Sequence, residues 1–274
     1  MSDTAPEPIT IAGDGTVLAE LREHTLLVTL NRPDARNAVN MQLSRGVGEA
    51  LEYAENTPDV WTVIITGAGE KSFCAGADLK ASAAGEFSDI DDRLRQWGFA
   101  GYVQHMIGKP TIAAVNGFAL GGGAEIVMAS DLAIASDTAV FGLPEVKRGI
   151  FAGGGGAFRL PRQIPKKIAM ETMLTGRPIT ADRALSLGLV NLVVPQEQVL
   201  GAAFELADAI NENAPLAVQA TKRTALGITG DSIPAEESDW NRNDVELQRL
   251  MTSNDSMEGR RAFAEKRAPE WTGR

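Results

Sequence analysis

Three consecutive glycines at 121–123 run straight into Ala124, Glu125, Ile126, Val127, Met128 and Ala129. A helix through 122–130 is apolar nearly all round and must be buried, and it carries Glu125 inside with it. A buried carboxylate costs several kcal/mol unless it is protonated or hydrogen-bonded. The preceding glycines bear no Cβ, so the first N–H groups of the helix stay open to approach. Twenty positions later a second acid, Glu145, follows Pro144. Each feature has an ordinary reading. The glycines suit a tight strand-to-helix connection, a Glu125 side chain that reaches solvent fits the same pattern, and Pro-Glu suits a helix opening with the acid on the positive end of the dipole. Their conjunction suits acid–base chemistry beside open backbone donors.

The rest of the chain narrows the classes. At 274 residues and 44% hydrophobic content it can bury one sizeable core, in one or two domains. The N-terminus, MSDTAPEPIT, lacks the basic and apolar regions of a signal peptide, and no apolar run reaches the roughly 18 residues of a membrane span. A cytoplasmic location is the expectation, and the single Cys74 fits a reducing compartment. Neither histidine, His24 or His105, is placed by a motif as a partner for Cys74, and one cysteine with two scattered histidines makes no metal-ligand cluster. No metal is expected. A net charge of −10 disfavours nucleic acid, so an anionic small ligand needs a local basic patch, for which Arg32, Arg36, Lys80, Lys147, Arg148, Lys266 and Arg267 are the candidates. Nucleotide loops fail: Glu70 takes the place of the last Walker glycine in 67–80, and Ile126 the third glycine position of a dinucleotide fingerprint.

Residues 1–15 read as loosely held, and 17–30 as a hairpin turning at Arg22, Glu23 and His24. A helix is expected over 41–55 and a strand over 61–66, a strand–helix–strand pattern of an α/β fold. The stretch 81–106 reads as a small, acidic, mobile loop and then a helix carrying Trp97, Phe99 and Tyr102, which form either core or a pocket wall. Strands are expected at 111–115, 131–135, 139–141 and 189–194. Glycines 153–156 open a helix whose N–H groups either hold an anion or pack closely. Helical patterns over 197–213, 216–226 and 235–251 close the chain. Residues 1–200 are expected to form the catalytic core and 201–274 a helical oligomerisation region.

From about Leu18 onward, NRPDARNA, SFCAGADLK, KPTIAAVNGFALGGGAEI, FGLPE, LTGRPITADRALSLGLVN and EGRRAFAEKR occur in order, and together they resemble the crotonase (enoyl-CoA hydratase/isomerase) superfamily. The resemblance implies an α/β fold, a spiral of ββα units followed by an all-helical C-terminal region, assembled as homotrimers or dimers of trimers. It implies an acyl-CoA thioester held by the backbone N–H groups of Ala77 and Gly122, with coenzyme A as part of the substrate and no separate cofactor. It gives Glu125 the activation of water for attack at Cβ and Glu145 the proton for Cα. Isomerases typically keep only the second acid, so Glu125 favours hydration. For coenzyme A it implies Arg36, Ala75 and Lys80, with Phe263 and Lys266 arriving from a neighbouring subunit, and binding that weakens with salt. Asp34 stands where some members carry a base, leaving Arg36 to compensate, and Phe151-Ala152 replace a proline of many hydratases.

CAGADLKASAAGE, FGLPE and the ending EGRRAFAEKRAPEWTGR also resemble the carnitinyl-CoA dehydratases. That reaction would place Trp97, Phe99 or Tyr102 against a trimethylammonium group, with Asp89, Asp91 or Asp92 as counter-charge. The general enoyl-CoA hydratase is the favoured expectation. A silent acyl-CoA-binding scaffold is the alternative of a different class, and retention of both acids weighs against it.

Overall fold

Strands that are apolar on both faces need cover on both sides, and TVIITG at 62–67 is buried throughout. The computed structural model describes residues 7–9, 14–87 and 90–274. Of the N-terminal stretch expected to be loosely held, β1 (Glu7–Ile9) pairs as an edge strand with β2 (Val17–Arg22); residues 1–6, 10–13, 88 and 89 lie outside the described ones.

The hairpin of β2 and β3 (Thr25–Leu30) turns through Glu23, at φ 52°, and His24. His24 stacks on Trp61 at 3.5 Å and bonds the Asp59 carbonyl, a structural part. From β3 the sheet continues in parallel through β4 (Thr62–Gly67), β6 (Thr111–Val115), β8 (Leu132–Ser136) and β11 (Leu192–Val194). Between these, short strands β5 (Ser72–Cys74), β7 (Phe118–Leu120) and β9 (Val140–Gly142) form a second parallel sheet, closed by antiparallel β10 (Ile179–Thr180). β4, β6 and β8 are each followed by a short strand in the other sheet, and the chain winds as the expected spiral. The expected strand at 189–194 shrinks to β11, since Asn191 instead turns to bond Ala133.

Period-two alternation divides the core. Val63 and Ile65 face α1 (Met41–Asn56), whose Leu43, Val47, Ala50 and Leu51 are buried. Ile64, Ile112 and Ile134 face the other way, onto Val199, Ala203 and Ala207 of α8 (Val199–Asn211). The boundary expected at 200 thus falls inside a helix that covers the sheet.

The remaining helices are α2 (Leu79–Ala83), α3 (Asp92–Trp97), α4 (Gly122–Ala129), α5 (Gly156–Gln163), α6 (Lys166–Thr175), α7 (Ala181–Leu187), α9 (Pro215–Leu226), α10 (Pro234–Met251) and α11 (Asn254–Ala264). One expectation is corrected: Trp97, Phe99 and Tyr102 do not share a helix. Gly98, at φ 73°, ends α3, and a short 3-10 turn follows at Phe99–Gly101. Likewise the first half of 81–106, read as a mobile loop, begins within α2 and continues as a turn to residue 87. Among the described residues no helix is long and apolar enough to cross a membrane.

Candidate active site

The site stands at the ends of three neighbouring parallel strands. In the small sheet β5, β7 and β9 lie side by side. The chain leaving β5 reaches Ala77, the chain leaving β7 reaches Gly122, and the chain leaving β9 enters the 3-10 turn Pro144–Arg148 that carries Glu145. Successive ββα units thus deliver successive parts of one site, as open parallel sheets gather ligands at the carboxyl ends of their strands. Ala75, Ala77, Gly122, Glu125, Glu145 and Phe263 line one cavity of 580 Å³.

Glu125 is 3% exposed, within α4 as the apolar run requires. Its Oε1 accepts the Gly156 N–H at 2.9 Å, and the Gly154 N–H bonds the same carboxylate. Two of the 153–156 glycines, Gly154 and Gly156, therefore donate to a carboxyl group of the chain itself, that of Glu125. A Cβ on Gly154 would lie 2.4 Å from Glu125 Oε2, so only glycine lets the loop close on the carboxylate. Burial pushes the Glu125 carboxyl up to about 7 against these two bonds and the Arg159 charge. Burial, then the charge of Glu125, pushes Glu145 up to about 8. Glu145 Oε2 is buried with no hydrogen-bond partner. The two acids titrate as a pair, and holding the first negative favours the proton on the second.

The Ala77 and Gly122 N–H groups have no partner among the described residues. They are brought close by Gly76, where a Cβ would lie 3.2 Å from the Gly122 nitrogen. A Cβ on Gly122 would stand 2.1 Å from the Phe99 ring, so the aromatic wall reaches this donor only because residue 122 has no side chain. The pair is an open two-donor site beside a two-acid site.

The chain matches the family described as enoyl-CoA hydratase/isomerase over residues 20–274. It belongs to the enoyl-CoA hydratase/isomerase family. Among curated relatives, a carnitinyl-CoA dehydratase of Proteus mirabilis is 44% identical over 256 residues, covering 92% of this chain and 97% of that protein. An enoyl-CoA hydratase of Mycobacterium tuberculosis, EchA19, is 41% identical over 276 residues, covering 97% and 99%. Among solved structures, a carnitinyl-CoA hydratase of Mycobacterium avium superposes with a TM-score of 0.92 at 56% identity, covering 94% and 99%.

Within this family frame the coenzyme-binding expectations divide. Ala75 lines the cavity, its N–H bonding the Arg36 carbonyl at 3.1 Å, while the side chains of Arg36, Lys80 and Lys266 are exposed and outside the lining. Phe263 reaches the cavity within its own chain, where a neighbouring subunit was expected to supply it, and Arg148 lies over its ring at 4.3 Å. Other candidate cations are engaged: Arg32 with Asp78 at 2.9 Å, Lys147 with the Gly176 carbonyl, Arg267 with Glu258. Of the described residues proposed against a cationic head group, only Phe99 lines the cavity. Trp97 stacks on His105, Tyr102 bonds Ser130 at 2.8 Å, Asp91 caps α3 and pairs with Arg45, Asp92 opens α3 outside the lining, and Asp89 lies outside the described residues.

The wall that sequence reasoning missed comes from α10: Trp240, Asn243, Asp244 and Leu247 face the cavity. Their spacing is that of one helix face, but its mixed polarity gives no apolar stripe by which to find it. Cys74 is fully buried with its thiol pushed up to about 12, so it is no nucleophile.

Proposed function

We propose that this protein is an enoyl-CoA hydratase, adding water reversibly across the 2,3 double bond of an enoyl-CoA thioester. The observation that carries the reading is the placement of two coupled, buried carboxylates in one cavity with two unpartnered N–H groups. The thioester carbonyl oxygen accepts from Ala77 and Gly122, which take up the charge that develops as the enolate forms; each such donor is worth about 3 kcal/mol in comparable sites. Glu125, whose negative form Gly154, Gly156 and the charge of Arg159 favour against burial, removes a proton from water as its oxygen bonds to Cβ. Glu145, protonated near neutral pH, gives its proton to Cα. One proton enters the pair as one leaves, and the reverse sequence eliminates water.

Arg36, Lys80 and Lys266 supply the exposed positive charge for the coenzyme phosphates. Coenzyme A arrives with the substrate, and no separate cofactor is needed. α9 buries no residue in its own chain and leaves Leu216 75% exposed, which supports subunit contacts through the C-terminal helices in a trimer or dimer of trimers. A cytoplasmic role in fatty acid metabolism is the accompanying reading.

The test is turnover of crotonyl-CoA, followed by loss of the conjugated thioester absorbance. Glu125→Gln and Glu145→Gln are each expected to lower kcat by at least about a hundredfold with the far-ultraviolet spectrum unchanged. Near wild-type rates in both variants would refute the two-acid reading, and coenzyme A binding without turnover of any enoyl thioester would make the chain a scaffold. A second reading, dehydration of carnitinyl-CoA, is favoured by the names of the relatives and by Trp240 and Asp244 in the cavity wall. Comparing kcat/KM for crotonobetainyl-CoA and crotonyl-CoA decides between the two substrates.

A further inference from the structure

Arg159 of α5 is 5% exposed and is bonded to α10, to the chain at Val103 and to the glycine loop at Gly155. Its Nη2 and Nε donate to the Glu236 carboxylate of α10 at 2.7 and 3.1 Å, and its Nη1 donates to the Val103 carbonyl at 2.9 Å. Its own N–H bonds the Gly155 carbonyl at 2.9 Å, and a Cβ on Gly155 would lie 3.4 Å from Nη1. Gly155 sits between the two glycines that donate to Glu125. Arg159 does not line the reaction cavity; with Glu236 it lines a second cavity of 540 Å³ on the other side. It stands between the two as a buried cation at the back of the Glu125 cradle.

A buried arginine with a two-point carboxylate partner is commonly a clamp between helices. Here the charges around Glu125 make it more than that. From the Pro144–Arg148 turn, Glu145 faces Glu125, while Lys147 is engaged with Gly176 and Arg148 lies over Phe263. From α5, Arg162 is engaged with Asp239. From α10, Asp244 adds a further negative charge to the cavity wall. β5, β6, β7 and the Phe99–Gly101 turn carry no charged side chain. Arg159 is the cation that acts on Glu125.

We propose that Arg159 is a positioning residue for the hydration reaction: it fixes the Gly154 and Gly156 donors around Glu125 and, restrained by Glu236, sets how readily Glu125 carries negative charge. The proposal rests on the reading of Glu125 as the water-activating base. Removing the cation and removing its counter-charge then act in opposite directions, which loss of a structural clamp would not do.

The test follows protonation of Glu125 by the carboxyl infrared band that is absent from Glu125→Gln, in the intact assembled protein, together with the pH profile of kcat/KM for crotonyl-CoA. Arg159→Met is expected to move the Glu125 midpoint and the acid limb of the profile to higher pH, and Glu236→Gln to lower pH, each by about half a unit to one unit. Arg159→Lys, which keeps the charge, is expected to leave the midpoint near wild type while lowering kcat through the loosened cradle. If Arg159→Met does not fold, the acid-directed movement in Glu236→Gln is the deciding result. Midpoints unmoved in Glu236→Gln, or moved the same way in both charge variants, overturn the proposal. A wild-type protein that hydrates no enoyl thioester overturns the functional reading instead, and the infrared midpoint still tests the role of Arg159.

Discussion

Glu145→Gln is expected to make the protein more stable as it makes it less active. The Glu145 carboxyl is raised from 4.5 to about 8, by burial first and by Glu125 second. An acid raised on folding binds its proton more tightly in the folded state, so stability is intact below 4.5 and declines as pH rises through about 8. At about 1.4 kcal/mol per pH unit, the full rise corresponds to at most ~5 kcal/mol of lost stability above the upper value. The pair shares that loss with Glu125, and the glutamine amide keeps its own desolvation cost, so about 2 kcal/mol is the expected gain. For a chain of this size that is about 4–8 °C in Tm. The assay is paired thermal and urea unfolding of wild type and variant from about pH 4.5 to about pH 8.5, alongside crotonyl-CoA turnover. The stability difference is expected to open with rising pH and to vanish at the acid end. A variant less stable than wild type at the alkaline end, or a difference independent of pH, refutes the argument that burial of this charge is the cost.

Two further outcomes follow from close contacts. Gly122→Ala puts a Cβ 2.1 Å from the Phe99 ring, so kcat is expected to fall by about tenfold to a hundredfold as the donor is displaced. The double variant with Phe99→Ala is expected to recover part of the loss; no recovery would show that the ring does not govern this donor. Cys74, buried with its thiol held protonated, is expected to react with an aromatic disulfide reagent only after unfolding, and stoichiometric labelling of the native protein at neutral pH would contradict its placement.

Local features were legible without coordinates. The alternation in 17–30, the apolar strand in 62–67 and the glycine break before α4 appear where sequence patterning puts them, because each reflects neighbours a few residues apart. The broken helix at Gly98 was missed because one glycine is tolerated in a helical pattern, and only packing shows that this one takes a positive φ. The wall from α10 was missed for a different reason. Arg159 and Glu236 are separated by 77 residues, and Asn243 bonds Gly153 across 90, distances at which periodicity carries no information.

Sequence alone put Glu125 on an apolar helix that had to be buried, with open backbone donors beside it, and left open whether the acid itself reached solvent. Tertiary structure decided how that acid is tolerated: two glycine N–H groups 29 and 31 positions further on, a second acid from the next spiral unit, and the charge of Arg159 acting on Glu125. Burial follows from the local pattern of apolar residues. Charge state follows from fields and hydrogen bonds that depend on distance through space, and the fold alone sets those distances.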